Sequence, residues 1–179
     1  HMFIHGGWLH LLGNLLFLYL MGPFIEDIWG RWLYGIFYLA MGVLAGLIYC
    51  LHYPNSNAVL MGASGAIAGV MGAFLVYFWK TRIRFAFFFT FLFSGTFKAP
   101  AWMMVPLWVG LEVLNANTMD RITQGQGGGG VAHWAHVWGF VLGFLTALLF
   151  KWTGFVQRRI APALEKKAGL FDPGMDVYE

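Results

Sequence analysis

The sequence predicts an all-α integral membrane protein, a polytopic transmembrane helix bundle with about five spans. Of the 179 residues, 59% are hydrophobic and only 11% are charged. Soluble globular domains carry about 25% charged residues, so most of this protein's surface is unsuited to water. The apolar residues fall into five runs that are long enough to cross about 30 Å of hydrocarbon. These runs cover approximately residues 8–25, 33–51, 61–79, 101–114 and 131–150.

The basic residues predict how these runs are oriented. Ten of the eleven lysines and arginines follow the first, third or fifth run, and only Arg121 lies elsewhere. Because cytoplasmic loops carry an excess of Lys and Arg, we expect a cytoplasmic C-terminus and an outer N-terminal end. Residues 82–98, which contain FAFFFTFLF between basic residues, are expected to form a partly buried or interfacial linker.

The remaining segments are predicted from composition. The glycine-rich stretch 124–130 is expected to be a flexible outer loop, and residues 153–179 a cytoplasmic tail after a membrane domain of residues 1–152. The single cysteine, Cys50, excludes an internal disulfide and a multi-cysteine metal site. The first apolar run lacks a basic leader and a small-residue cleavage site, so we expect no cleavable signal peptide. Because the chain starts close to a membrane segment, we also expect further sequence upstream.

Polar side chains inside membrane helices are costly and therefore mark candidate functional sites. His10 and Asn14 lie four residues apart in the first run, on one helix face. Ser64 opens the third run, and His136 lies near the start of the fifth. All three runs cross in the same direction, and a rise of about 1.5 Å per residue places these groups at one depth. We expect the four side chains to meet a little below the outer surface.

This set of side chains is suited to acyl transfer. A serine hydroxyl is a weak nucleophile unless a base accepts its proton, and His136 is the candidate base for Ser64. The Ser64 backbone N–H at a helix start, with the His10 and Asn14 side chains, could donate to a developing oxyanion. No acidic residue lies near this depth in the third or fifth run, so the predicted unit is a Ser-His dyad.

Small residues explain how these helices would approach each other. Glycines recur with helical spacing on one face of the third run and one face of the fifth: Gly65, Gly69, Gly72, Gly139 and Gly143. Such faces let membrane helices pack closely. If they meet, Ser64 and His136 come within hydrogen-bond reach, about 2.6–3.2 Å. Gly62 would leave the backbone beside Ser64 open to a scissile peptide.

Each of these polar side chains also has a purely structural interpretation. Taken singly, Ser64 could be a helix cap, Asn14 an interhelical hydrogen-bonding residue and His136 a buried structural histidine. His52 and His133 are expected to be interfacial or structural.

Parts of the pattern also fit a zinc-binding protein or a transporter. Histidine pairs with helical spacing, such as His1 with His5 and His133 with His136, can hold zinc. Against a zinc site, the sequence contains no HExxH motif, and no intramembrane carboxylate is expected at the depth of the histidines. A transporter would carry charged residues near the midplane, and only Glu112 is a candidate.

Three motifs resemble those of rhomboid intramembrane serine proteases. Residues 62–65, GASG, resemble the family's G-x-S-G motif. Residues 135–139, AHVWG, with Gly143 four residues further on, are similar to its last catalytic helix. HGGWLHLLGN near the N-terminus, followed by Gly22 and Glu26, resembles its second transmembrane helix. The resemblance extends from residue 1 to about residue 152.

The resemblance implies roles for the residues already identified. Ser64 would be the nucleophile and His136 the general base. His10, Asn14 and the Ser64 N–H would line the oxyanion hole, and Glu26 would be structural.

The resemblance also implies a gate and a missing helix. The aromatic segment 102–108 would form the lateral gate for a substrate helix. The chain would begin at the second of six helices in the complete core. Ala68 departs from the family pattern, because that position often holds a tyrosine that stacks on the histidine. Trp134 or Trp138 would then orient the imidazole instead.

We therefore expect a serine endopeptidase that cleaves single-span membrane proteins within or beside the lipid bilayer. It would be a multi-pass protein of a bacterial inner (plasma) membrane, with its active site toward the outer face. No cofactor, metal or nucleic-acid partner is implied. The leading alternative is a non-proteolytic rhomboid-like protein that binds transmembrane helices.

Overall fold

The computed structural model describes residues 1–56, 59–90, 93–123 and 131–156. Most of these residues are helical, which confirms the predicted class in its coarse form. The predicted loop 124–130 and residues 157–179 of the predicted tail lie outside the described residues. The elements are, in order, α1 (Trp8–His52), α2 (Ser64–Phe78), β1 (Arg82–Thr90), β2 (Phe93–Pro100), α3 (Ala101–Thr123) and α4 (His133–Thr153).

Helix α1 combines the first two predicted runs in 45 residues. It is broken at Gly30, whose φ of 75° and ψ of 152° belong to a region that is essentially reserved for glycine. The two halves lie side by side: the Tyr34 hydroxyl of the second half lies 2.7 Å from the position that a Cβ on Gly22 of the first half would occupy. The connection predicted between the first two runs is thus a sharp break, not a loop.

Two of the described helices, α1 and α4, are long and apolar enough to cross a membrane. Helix α2 is also apolar but has only 15 residues. Large apolar side chains remain exposed along α1 and α4, among them Leu9, Ile36 and Leu145. Exposed apolar side chains in this number are typical of a surface that contacts lipid. The count of five spans stays a prediction.

Helix α2 lies at the centre of the fold and packs closely on α4. A Cβ added to Gly139 would collide with the carbonyl oxygen of Gly65, and one added to Gly143 with that of Gly69. On its other side, Gly69 lies against the side chain of Met41 in α1. The glycine faces of the third and fifth predicted runs therefore meet, and they bring the two helix backbones into contact.

The apolar core fixes the break in α1 against the other helices. Trp29, immediately before Gly30, is almost fully buried. Its ring meets those of Phe37, Phe150 and Tyr77 edge-on, with centroids 4.7, 5.3 and 6.1 Å away. Glu26 is half-buried one turn before the break.

Residues 82–98 differ from the sequence expectation, and the all-α class is wrong for this segment. Strands β1 and β2 form an antiparallel hairpin in which Arg84 pairs with Lys98 and Phe85 with Phe97. The two paired Phe rings stack with centroids 5.3 Å apart. The physical reason is the content of Phe, Ile and Thr, residues that favour strands when cross-strand partners are available.

We expect Gly143→Val to destabilise the protein because the new side chain would overlap the Gly69 backbone. Overpacking of this kind costs about 1–3 kcal/mol, and more when backbone must move. The thermal unfolding midpoint in detergent should fall. Gly35→Val is the matched control, since a Cβ there meets nothing within 4 Å. Equal midpoints for Gly143→Val and the parent would contradict the close packing of α2 and α4.

Candidate active site

The structure brings Ser64 and His136 together. Ser64 is the first residue of α2, and His136 lies in the first turn of α4. His136 Nε2 and Ser64 Oγ are 2.7 Å apart, although the residues are separated by 72 positions in the chain. Gly62 precedes the helix with a φ of 106°, a conformation that favours glycine, and it directs the chain into α2 at this point.

The other imidazole nitrogen of His136 faces an acidic residue on α3. Glu112 Oε2 lies 2.8 Å from His136 Nδ1. A carboxylate only accepts hydrogen bonds, so Nδ1 carries the proton and Nε2 keeps a lone pair for the Ser64 hydroxyl. The expectation that no intramembrane carboxylate lies at the depth of the histidines is therefore wrong. The sequence did indicate this carboxylate, because Glu112 is the sole acidic residue within the five predicted apolar runs.

A second histidine shares this carboxylate. His133 Nδ1 also lies 2.8 Å from Glu112 Oε2, so one oxygen accepts hydrogen bonds from two imidazoles of α4. Eight residues further along α3, Asp120 accepts hydrogen bonds from the Trp134 indole, at 2.9 Å, and from the Tyr53 hydroxyl. His133, which was expected to be interfacial or structural, thus belongs to the polar cluster beside His136.

His10 and Asn14 lie beside Gly62, two residues before Ser64. The Gly6 N–H donates to His10 Nδ1 at 3.4 Å, so the proton of the neutral ring is on Nε2. That nitrogen stands 2.8 Å from where a Cβ on Gly62 would be, and Asn14 Nδ2 stands 3.7 Å from the same point. Asn14 also donates to the His10 carbonyl at 2.9 Å, which fixes its amide.

His10 faces a space large enough for a substrate backbone, whereas Asn14 lines a different cavity of about 550 Å³. A cavity of about 470 Å³ is lined by His10, Gly62, Ser64 and His136. The first N–H groups of α2 have no partner within the helix and point toward its N-terminal end. The arrangement can therefore pass a proton from Ser64 to His136 while N–H groups face a developing oxyanion.

The aromatic ring beside His136 comes from α3. Trp108 lies nearly parallel to the imidazole, with centroids 6.1 Å apart and an interplanar angle of 27°. Trp134 instead stacks on His52 at 5.3 Å, and Trp138 stacks on Trp134 at 6.4 Å. The expectation that Trp134 or Trp138 orients the imidazole is therefore wrong.

The same acidic cluster has the composition of a metal site. The ligand atoms of Glu112, His133 and His136 lie within 4.8 Å of one another, and two imidazoles with one carboxylate suit zinc. These atoms are also fully accounted for by the two hydrogen bonds of 2.8 Å. The cluster is therefore satisfied by its own side chains.

The sequence of this chain is similar to known proteins along most of its length. The family model of the Rhomboid domain matches residues 1–153. RHOMBOID-like protein 5 of Arabidopsis thaliana is 38% identical over 72 residues, which are 40% of this chain and 23% of that protein. Rhomboid-type serine protease 2 of Emericella nidulans is 36% identical over 84 residues, 45% of this chain and 16% of that protein.

A third relative matches over a longer segment. Rhomboid-like protease 5 of Toxoplasma gondii is 26% identical over 173 residues, 91% of this chain and 18% of that protein. The chain thus spans less than a quarter of the length of these three relatives. No solved structure matches the chain. Because the Rhomboid domain model matches well over half of its residues, the chain belongs to the rhomboid family.

Proposed function

We propose that this protein is an intramembrane serine protease that uses Ser64 as its nucleophile and His136 as its general base. The observation that carries the proposal is the 2.7 Å contact between Ser64 Oγ and His136 Nε2 at a cavity within an apolar helix bundle. Membership in the rhomboid family supports it, as does similarity to the Emericella nidulans relative, a rhomboid-type serine protease.

Acylation begins with proton transfer. The Ser64 hydroxyl gives its proton to His136 Nε2 while Oγ bonds to the carbonyl carbon of the substrate. The carbonyl oxygen becomes an oxyanion, which accepts hydrogen bonds from the Ser64 N–H, His10 Nε2–H and the Asn14 amide. The intermediate collapses, the carbon–nitrogen bond breaks, and the amine leaves with the proton held by His136.

Deacylation repeats these steps with water. A water molecule in the cavity gives a proton to His136 and attacks the ester carbonyl on Ser64. The second tetrahedral intermediate then releases the carboxylic acid, and His136 returns the proton to Ser64 Oγ. The cavity beside Ser64, about 470 Å³, has room for this water molecule.

The substrates in this proposal are single-span membrane proteins. A substrate helix must unwind before its carbonyl can reach Ser64, so helices with small residues at the cleavage point are favoured. In this proposal the site faces the outer side of the membrane and the C-terminus the cytoplasm, an orientation that the distribution of basic residues favours. The expected location in a bacterial inner (plasma) membrane stays a prediction. The segment around Trp102, exposed on α3, serves as the lateral gate.

Ser64→Ala and His136→Ala should each abolish cleavage of a transmembrane reporter. Loss of either half of a nucleophile–base pair removes roughly 10⁴-fold or more of kcat in serine proteases. The measurement is reporter cleavage in proteoliposomes, with the unfolding midpoint checked for each variant. Ser94→Ala and His52→Ala are the matched controls, because both residues are exposed and take no part in the pair.

Two results would count against the proposal. One is cleavage by Ser64→Ala at the parent's rate. The other is a folded parent that binds transmembrane helices but never cuts them, which would favour the non-proteolytic rhomboid-like alternative.

Asn14→Ala should lower kcat by about 10²–10³-fold with little change in KM, because an oxyanion donor acts mainly in the transition state. Asn117→Ala is the control. Both asparagines donate to the carbonyl four residues earlier in their own helix, but Asn117 lies exposed on α3. Reporter kinetics with equal kcat for the two variants would remove Asn14 from the oxyanion hole.

Chelation distinguishes proteolysis by serine from zinc chemistry. We expect EDTA treatment to leave reporter cleavage unchanged, since the Glu112 cluster is satisfied by hydrogen bonds. Activity that is lost on chelation and restored by added zinc would instead assign the reaction to a metal at that cluster.

A further inference from the structure

We propose that Glu112 is the positioning residue of His136, so that the reactive unit is Ser64–His136–Glu112 and not a dyad. This inference rests on the proposed serine-protease function and extends it to a third residue. It also makes α3, which carries Glu112, a part of the machinery that orients the base.

Glu112 determines which tautomer of the His136 imidazole is present. A neutral imidazole that carries its proton on Nε2 would donate to Ser64 Oγ and could not accept the serine proton. The Glu112 carboxylate, 2.8 Å from Nδ1, holds the proton on Nδ1 and leaves Nε2 free to accept. Without an acceptor at Nδ1, both tautomers become accessible and only one of them can act as the base.

Glu112 also stabilises the positive charge that His136 acquires during the reaction. When His136 accepts the serine proton, it becomes a cation inside a helix bundle. The side chains of His136 and Glu112 are only 11% and 12% exposed, so water stabilises that cation poorly. A carboxylate in direct contact stabilises the cation instead, because Coulomb attraction is stronger where the effective dielectric constant is low.

Glu112 is itself held in place by a second histidine. His133 donates to the same Oε2 atom, which aims the carboxylate at His136 and satisfies part of its need for donors. A buried carboxylate with two imidazole donors is far less costly than one with a single donor. His133 therefore acts through Glu112, as a support for the positioning residue.

The position of Glu112 on α3 has a consequence for substrate entry. Among its described residues, α3 buries only Ala101, Val105 and Ala116. Its remaining ties to α4 include the hydrogen bonds of Glu112 and Asp120. If α3 moves outward to admit a substrate helix, the Glu112–His136 hydrogen bond breaks. The base is then oriented only after α3 has docked again, which couples closure of the gate to proton transfer.

The test compares Glu112→Gln and Glu112→Ala with the parent by reporter kinetics. Gln keeps the shape and can still accept a hydrogen bond through Oε1, but it is uncharged. We expect kcat to fall about 10⁴-fold for both variants, the loss seen when a triad carboxylate is replaced by its amide or removed. KM should change less than threefold in both, because Glu112 does not touch the substrate.

A spectroscopic measurement reports on the hydrogen bond without any activity. In protein labelled with ¹⁵N-histidine, the proton shared by His136 Nδ1 and Glu112 should give a far-downfield proton signal. The signal should disappear in His136→Ala and in Glu112→Ala. Asp27→Asn is the matched control, since Asp27 is an exposed carboxylate on α1, and it should keep both the signal and the parent kcat.

The outcomes separate the two proposals. If Glu112→Ala keeps kcat within threefold of the parent while Ser64→Ala is inactive, the positioning role is overturned and the protease function stands. If the parent itself does not cleave the reporter, the protease function fails, and the downfield signal alone decides whether Glu112 holds His136. Should Glu112→Ala not fold, a Glu112→Gln protein with an unchanged unfolding midpoint and unchanged kcat would overturn the inference equally.

Discussion

The contact between the backbones of α2 and α4 is the constraint on which the candidate site depends. Gly139 and Gly143 have no room for a Cβ because the carbonyl groups of Gly65 and Gly69 occupy that space. Side chains at these positions would push the two helices apart. The 2.7 Å hydrogen bond between His136 and Ser64 would then become too long to form. Ser64 and His136 meet because each lies within a turn of this glycine contact.

Each acidic side chain near the site accepts hydrogen bonds from two donors, which lowers the free-energy cost of burying it. Glu112 accepts from His133 and His136, and Asp120 accepts from Tyr53 and Trp134. An unpaired carboxylate within apolar surroundings would be strongly destabilising, whereas one that is fully hydrogen-bonded is stable. The same low dielectric makes each contact stronger, so the groups that hold α3 on α4 also set the orientation of an imidazole.

Helical periodicity predicted most of this arrangement, and the exceptions have physical causes. Equal depth in parallel runs was enough to associate Ser64 with His136, and i, i+4 glycines predicted which helix faces meet. Glu112 was missed because its helix runs in the opposite direction and because it was considered only as a charge near the midplane, not at the depth of the histidines. The hairpin at 82–100 was missed because a short aromatic run fits a strand or a buried segment equally well until its pairing partner is known. Whether Gly30 would form a loop or a sharp break likewise depends on the packing of Trp29, which is a tertiary effect.

The most direct test of the central claim is covalent labelling by a fluorophosphonate, with the modified residue located by peptide mass spectrometry. Such a reagent requires a serine whose proton is taken by a neighbouring base. We expect one adduct, on Ser64 in the parent, and none in Ser64→Ala or His136→Ala. An adduct on a different residue, or labelling that persists in either variant, would contradict it.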